Sequence, residues 1–65
     1  MSNAFFISPD NVNGNSFFLE KRESHHASNV FRLGPGDMIS LLNGKGLGYK
    51  AIIERIDRGI VHGRI

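Results

Sequence analysis

The fold of this chain is decided by residues 25–37, which read HHASNVFRLGPGD. Three apolar residues in this stretch, Ala27, Val30 and Phe31, recur at the spacing of one helix face. This spacing predicts a single amphipathic helix over residues 21–32, with the three side chains directed towards a core.

The residues that follow predict how this helix ends. Gly34 accepts a positive φ and is expected to cap the helix, and Pro35 cannot continue it because proline has no backbone N–H. Arg32 would then lie in the last helical turn, where a cation suits the negative end of the helix dipole. Gly36 and Asp37 are expected to form the turn from which the next strand begins.

Apolar runs on either side of the helix predict β-strands. Residues 11–16 are rich in Asn, Gly and Ser and are predicted to form a loop. Asn43-Gly44 between two apolar runs favours a hairpin, and Arg58-Gly59 favours a second turn. The predicted strands cover residues 5–8, 17–19, 38–42, 48–57 and 60–65.

The longest predicted strand carries apolar residues on both faces. Tyr49, Ala51 and Ile53 share one face, and Ile52 and Ile56 share the other. Such a strand fits a strongly coiled sheet better than a flat sheet with one wet face. The fold class is therefore predicted to be mainly β with one helix, a small β-barrel in the order ββαβββ that the helix plugs or flanks.

Length and composition restrict the function classes. The chain has 65 residues, enough for one small domain, and it has no cysteine, which excludes disulfides and thiolate metal sites. Its net charge of +2 and pI near 9.5 are compatible with nucleic acid without requiring it. No apolar run reaches the length of a membrane span and no signal peptide is visible, so a cytoplasmic location without membrane contact is expected.

The chain is expected to be a piece of a longer protein. Its last predicted strand stops on the apolar residue Ile65, and natural domains rarely end inside a strand. Residues 1–4 are interpreted as an N-terminal extension or tag remnant, and residues 5–65 as the domain.

A polar stripe on the predicted helix is the first candidate site. His25, Asn29 and Arg32 lie at positions i, i+4 and i+7, opposite Ala27 and Val30. The stripe offers donors to phosphates or bases, and an arginine can bind a phosphate or a guanine edge in bidentate fashion. An ordinary solvated helix face is the alternative interpretation.

Two other patterns are assigned to structure. His25 and His26 are adjacent and point about 100° apart, whereas helical metal pairs use i, i+4 spacing, so no metal site is predicted. His26 is expected near the buried edge as a packed, hydrogen-bonded histidine. The glycine-rich residues 43–48 lack the spacing of a phosphate-binding loop and are interpreted as the hairpin, with Lys45 at its tip near a nucleic-acid backbone.

The remaining surface allows two interpretations. The basic residues of the last three strands and their turns either form a stripe or belong to a mixed surface that Glu54 and Asp57 interrupt. These basic residues are Lys45, Lys50, Arg55, Arg58 and Arg64.

The aromatic residues fall in apolar runs and are expected in the core. No catalytic set has a recognisable context, so the chain alone is not expected to be an enzyme.

The ordered set of motifs resembles the N-terminal domain of the RsmE family, bacterial methyltransferases that modify uridine N3 in small-subunit ribosomal RNA. The resemblance covers residues 5–65, and three positions depart from the family pattern: Ala27, Asn29 and Phe31 stand where a larger apolar residue, a basic residue and leucine are common. The matching pieces are FFISP at 5–9, HH at 25–26, FRL at 31–33, GPGD at 34–37 and LNGKG at 42–46.

The resemblance implies a PUA-like β-barrel that helps to recognise 16S ribosomal RNA or the small subunit. It implies that catalysis and S-adenosylmethionine binding belong to a following SPOUT methyltransferase domain, which also forms a homodimer, and that this domain binds no cofactor itself. A β-barrel module for protein or interdomain docking is the competing interpretation. The expected RNA-contact residues are Arg32, His25, Asn29, Lys45 and Arg22, and the expected structural residues are His26, Gly34, Pro35, Gly36 and Asp37.

Overall fold

The computed structural model describes residues 3–46 and 48–65. Met1 and Ser2, half of the predicted N-terminal extension, lie outside the described residues. The other half joins the fold, because Ala4 begins the first strand and the Asn3 carbonyl accepts a hydrogen bond from the Ser40 N–H at 2.8 Å. The elements are β1 (Ala4–Phe6), a 3-10 turn (Pro9–Asn11), β2 (Val12–Asn13), β3 (Ser16–Phe18), α1 (Lys21–His25), a π-helical turn (His26–Val30), β4 (Met38–Leu42), β5 (Gly48–Asp57) and β6 (Ile60–Arg64).

The strands form one curled sheet in the order β1-β4-β5-β6-β3-β2. Every pairing is antiparallel except that of β1 with β4, which is parallel. The mainly β fold class with one helix is confirmed. The predicted loop over residues 11–16 is wrong in part, because Val12 and Asn13 pair with the start of β3 as a short edge strand.

The inward face of the sheet and one residue of the helical segment make a single core. Ser24 is also fully buried and ties the helix to the sheet. Its hydroxyl donates to the Leu19 carbonyl at 2.9 Å and accepts from the Val61 N–H at 3.0 Å. The core consists of Phe5, Ile7, Phe17, Leu19, Ala27, Ile39, Leu41, Ala51, Ile53 and Val61.

A β-bulge in β5 overturns one predicted face. The pairing with β6 shifts register between Ile53 and Arg55, so the strand alternation changes phase there. Ile56 consequently lies opposite the buried Val61 and packs against the core, whereas Ile52, half-buried to a similar degree, lies opposite the exposed Arg64 on the other face. The prediction that Ile52 and Ile56 share a face is wrong because period-2 counting cannot register an extra residue.

The predicted helix over residues 21–32 is shorter and changes its winding. After α1 the chain widens into the π-helical turn, and the Phe31 N–H donates to the His26 carbonyl at 3.0 Å. The wider turn no longer follows a 3.6-residue period, so Ala27 stays buried while Val30 and Phe31 are exposed. The prediction that all three apolar residues face the core is therefore wrong for two of them.

The chain reverses at Arg32 and not at Gly34. Arg32 has φ 56, the left-handed conformation, and this lets the Leu33 N–H donate back to the Ala27 carbonyl at 2.9 Å. Gly34 has no positive φ, so its prediction as the helix cap is wrong, as is the placement of Arg32 in the last helical turn. Because local sequence favours glycine at such a position, only the packed structure reveals that an arginine occupies it.

Gly34, Pro35, Gly36 and Asp37 form a β-turn. The Asp37 N–H donates to the Gly34 carbonyl at 3.0 Å, and Gly36 has φ 94, as position i+2 of a type II turn requires. The Asp37 carboxylate accepts a hydrogen bond from the Gly34 N–H at 2.7 Å. The turn therefore connects the helical segment directly to β4.

Candidate nucleic-acid interface

Two members of the predicted helix stripe are joined. Asn29 Nδ2 lies 2.9 Å from His25 Nδ1, and an amide donor there places the proton of the neutral imidazole on Nε2. The Ser28 hydroxyl donates to the Ser24 carbonyl at 2.9 Å and also lies 3.2 Å from the Asn29 side-chain oxygen. His25 and Asn29 thus present a hydrogen-bonded polar pair to solvent.

Arg32, the third member of the predicted stripe, leaves the helix. It follows the π-helical turn as an exposed residue in the left-handed region, three positions beyond Asn29. A non-glycine residue in this region costs about 1 kcal/mol or more, and such strain persists where the surrounding structure over-determines it. The Cα of Arg32 thus lies at the point of chain reversal beyond the helix end, and its side chain is exposed there.

Arg22 and His26 line a groove on another part of the helical segment. The groove is also lined by Phe6, Glu20 and Glu23. Glu23 accepts a hydrogen bond from the Phe6 N–H at 2.9 Å, and its other oxygen lies 3.6 Å from His26 Nδ1. The prediction that His26 lies near the buried edge is wrong, since 47% of its side chain is exposed. The helical segment buries Ser24 and Ala27, and His26 lies on its exposed side.

Lys45 lies at the tip of the β4–β5 hairpin, as predicted. The hairpin turn is held by the Asn43 side chain, whose oxygen accepts from the Lys45 N–H at 2.8 Å. The ring of Phe6 lies against Gly44, so that a Cβ added there would come within 3.1 Å of Phe6 Cε1. Phe6 therefore connects the hairpin that carries Lys45 with the groove that Arg22 and His26 line.

The prediction that the phenylalanines belong to the core is wrong for three of them. Phe6, Phe18 and Phe31 are 53%, 41% and 52% exposed, while Phe5 and Phe17 are buried. Strand alternation is the reason for Phe6 and Phe18, because consecutive residues of a strand point to opposite faces, and the π-helical turn is the reason for Phe31. Two consecutive phenylalanines in one strand cannot both face the core, so each Phe-Phe pair in the sequence already indicated one outward ring.

The cationic side chains are largely without acidic partners. Arg64 Nε lies 3.7 Å from Glu54 Oε2, and no other Lys or Arg makes an ion pair among residues 3–46 and 48–65. Lys50 lies opposite Ser40 on the outward face, between the half-buried Ile52 and the hairpin. The outward face of β4 and β5 is thus a mixed surface, with unpaired cations that remain available for an anion.

In the described part of the chain, no group of three His, Asp or Glu side chains lies close enough to hold a metal ion. No helix among these residues is long and apolar enough to cross a bilayer.

Comparisons with known proteins agree with this architecture. Residues 19–65 match the family model of the RNA methyltransferase PUA domain. No curated protein sequence matches the chain. The family match confirms the resemblance drawn from the sequence motifs.

Solved structures with the same fold are much longer than this chain. A Legionella pneumophila protein assigned as a methyltransferase, in complex with the cofactor SAM, matches the whole chain at 25% identity and a TM-score of 0.87. A predicted RNA methyltransferase from Thermotoga maritima matches 97% of the chain at 25% identity, with a TM-score of 0.80. Ribosomal RNA small subunit methyltransferase E from Neisseria gonorrhoeae, bound to S-adenosyl methionine, shares the fold at 24% identity and a TM-score of 0.81. This chain covers 27% of each of these structures.

Proposed function

The chain belongs to the family of RNA methyltransferase PUA domains, and from this membership we propose that it is the RNA-binding accessory domain of a methyltransferase acting on small-subunit ribosomal RNA. In this proposal the domain positions 16S ribosomal RNA for methylation at uridine N3. The methyl transfer itself takes place elsewhere in the parent protein.

The parent protein supplies the parts that this domain lacks. We assign S-adenosylmethionine binding and catalysis to a SPOUT domain that follows this one, and dimer formation to the same domain. Two of the solved structures that share this fold contain the cofactor, and the chain covers only 27% of each, which supports this division. The parent would act in the cytoplasm, where ribosomal RNA is found.

Arg32 carries the proposal. It is a strained, exposed arginine without an ion-pair partner in the described residues, and it lies beyond the ordered His25–Asn29 pair. An exposed guanidinium at a chain reversal is accessible to a backbone phosphate and can bind it in bidentate fashion. His25, Asn29, Arg22 and Lys45 would add contacts on either side.

Replacing Arg32 by glycine separates RNA contact from folding. Glycine tolerates the left-handed conformation, so Arg32→Gly removes the guanidinium without disturbing the chain reversal. Arg58→Gly is the matched control, because Arg58 has φ 53, is exposed and loses the same charge. Fluorescence anisotropy with a labelled 16S RNA fragment, repeated over a series of salt concentrations, measures both affinity and salt dependence.

The two variants are expected to differ. Loss of a charge-assisted contact at Arg32 should weaken binding about tenfold and reduce the slope of log affinity against log salt by about 1. Arg58→Gly should leave both quantities within about twofold of the original chain, on the scale of a distant charge. If the two substitutions had equal effects, Arg32 would contribute only general positive charge, as one of the eight Lys and Arg residues of the chain, and the proposed specific contact would be refuted.

Interdomain docking is favoured by a different observation. On the outward face of the β1–β4 edge, Phe6 and Leu42 are direct neighbours in register and about half exposed, and Met38 further along β4 is 65% exposed. Exposed apolar residues in one row are typical of a surface that another part of a protein covers. If docking were the only role, RNA affinity would be insensitive to salt and to Arg32→Gly alike.

A further inference from the structure

A second groove lies on the outward face of the sheet, across β3, β5 and β6. It encloses about 380 Å³, within the range of about 300–1,000 Å³ that small-molecule sites occupy. Neither the helix stripe nor the hairpin tip contributes to its lining. Its walls include Phe18, His62, Arg55, Glu54, Asn11 and Asn13.

The centre of the groove is a row of three side chains on three neighbouring strands. Phe18 lies directly opposite His62, and His62 lies directly opposite Arg55. The two rings are 6.3 Å apart between centroids and tilted by 39°, so they form a splayed aromatic surface and not a closed stack. An unpaired base can stack on such a surface, since every base presents a π-face to an aromatic ring.

The β-bulge explains why an arginine completes the row. Strict alternation from the buried Ile53 would turn Arg55 inward, but the register shift sets Arg55 opposite His62 and leaves it exposed. Bulges frequently re-aim a side chain beside a functional site. Arg55 has no ion-pair partner within the described ranges, so its charge is available to a phosphate beside a stacked base.

The rim of the groove selects the part of a nucleotide that can enter. Glu54 and Asp10 contribute carboxylates, which repel phosphate and accept hydrogen bonds from N–H groups. Glu54 Oε2 lies 3.7 Å from Arg64 Nε, and Asn11, which follows Asp10 in the chain, donates to Glu20 at 3.4 Å. A base with an exocyclic amino group fits these acceptors, whereas a bare phosphate does not.

We propose that this groove binds one unpaired RNA base that carries an exocyclic amino group, stacked on Phe18 and His62 with Arg55 directed to its phosphate. The inference rests on the proposed RNA-binding function and deepens it, because it adds a contact on a surface separate from Arg32. The chain would then hold RNA through a backbone contact beyond the helix end and a base contact on the sheet.

The test uses short single-stranded oligoribonucleotides and the 65-residue chain. Oligo(A), oligo(C) and oligo(U) of four nucleotides are titrated while NMR follows the backbone amides and the ring protons of Phe18 and His62. Phe18→Leu removes the stacking surface and keeps an apolar strand residue. Phe31→Leu is the matched control, since Phe31 is also an exposed phenylalanine but packs edge-on against Phe5 at 5.8 Å.

The proposal expects ring-proton shifts at Phe18 and His62 with oligo(A) and oligo(C), and weaker ones with oligo(U). Phe18→Leu should weaken oligo(A) binding about tenfold, the effect of losing one base stack, and Phe31→Leu less than twofold. Thermal unfolding of both variants shows that each remains folded at the temperature of the titration.

Two outcomes overturn the groove proposal, and they are distinguishable from failure of the proposed function. RNA that shifts the amides around Arg32 but leaves Phe18 and His62 unchanged would refute the groove and keep the RNA-binding function. Adenosine monophosphate that binds the groove more tightly than any oligoribonucleotide would assign it to a free nucleotide. Absence of binding to both the oligoribonucleotides and the 16S fragment would refute the two proposals together.

Discussion

The buried hydroxyl of Ser24 is expected to be one of the largest polar contributions to stability in this chain. It lies between the Val61 N–H and the Leu19 carbonyl, at 3.0 Å and 2.9 Å, just beyond the last residue of β3. The Leu19 N–H donates directly to the Val61 carbonyl at 2.9 Å. The return bond from the Val61 N–H to the Leu19 carbonyl is replaced by two hydrogen bonds through the Ser24 hydroxyl. Ser24→Ala removes that group and leaves a donor and an acceptor facing each other inside the core.

The expected loss of unfolding free energy follows from the unpaired Val61 N–H and Leu19 carbonyl. A buried polar group without a partner costs about 1–3 kcal/mol, and partial closure of the gap would recover some of this, so a net loss of about 3 kcal/mol is expected. A domain of this size has a total stability of about 3–10 kcal/mol, which makes the loss a large fraction of the whole. The melting temperature should fall by at least about 12 °C.

Urea unfolding followed by circular dichroism measures this loss directly. Ser28→Ala is the matched control, because it deletes the same hydroxyl from a half-buried position that donates to the Ser24 carbonyl at 2.9 Å. The control should cost less than about 1 kcal/mol, since its partners remain near solvent. The m-value should be unchanged in both variants. A Ser24→Ala variant as stable as Ser28→Ala would refute the claim that the hydroxyl bridges helix and sheet.

Two further predictions concern backbone conformation. Gly63→Ala should cost about 3 kcal/mol or more in urea unfolding, because the new Cβ would collide with a β5 carbonyl and come within 2.7 Å of the Phe17 ring. Gly34→Ala is its control and should be close to neutral, since nothing lies within 4 Å of a Cβ there and φ is not positive. Arg32→Gly and Arg58→Gly should each raise stability by about 0.5–1 kcal/mol in the same assay, because glycine relieves the left-handed strain. A destabilised Arg32→Gly would show that the side chain is needed for the fold, which would remove it as a pure binding residue.

The candidate site was partly visible in the sequence. The polar character of His25 and Asn29 on one helix face follows from i, i+4 spacing, and the structure joins them by a hydrogen bond. Phe18 and His62 could not be paired by any local rule, because 44 positions separate them in the chain. Their meeting depends on the antiparallel register of β3 with β6, which is a tertiary fact.

The fold was predictable wherever few residue types suit the backbone conformation that a turn requires. The sequence predicted a turn at Gly36, another at Arg58-Gly59, and the approximate strands from the apolar runs, and the structure shows the first as a type II turn and the second as a two-residue hairpin turn. These are local choices that depend on sterics and on a few neighbouring hydrogen bonds.

The sequence by itself determined the fold class, the turns before β4 and on either side of β5, and the family of this protein. Only the tertiary structure decided which side of each element faces the core. The π-helical turn exposes Val30 and Phe31, and the bulge turns Ile56 inward and Arg55 outward. Periodicity gives the relative direction of side chains within one element, but one extra residue changes that direction for all that follow. Where such a residue is inserted depends on contacts between distant parts of the chain, and a local pattern does not record them.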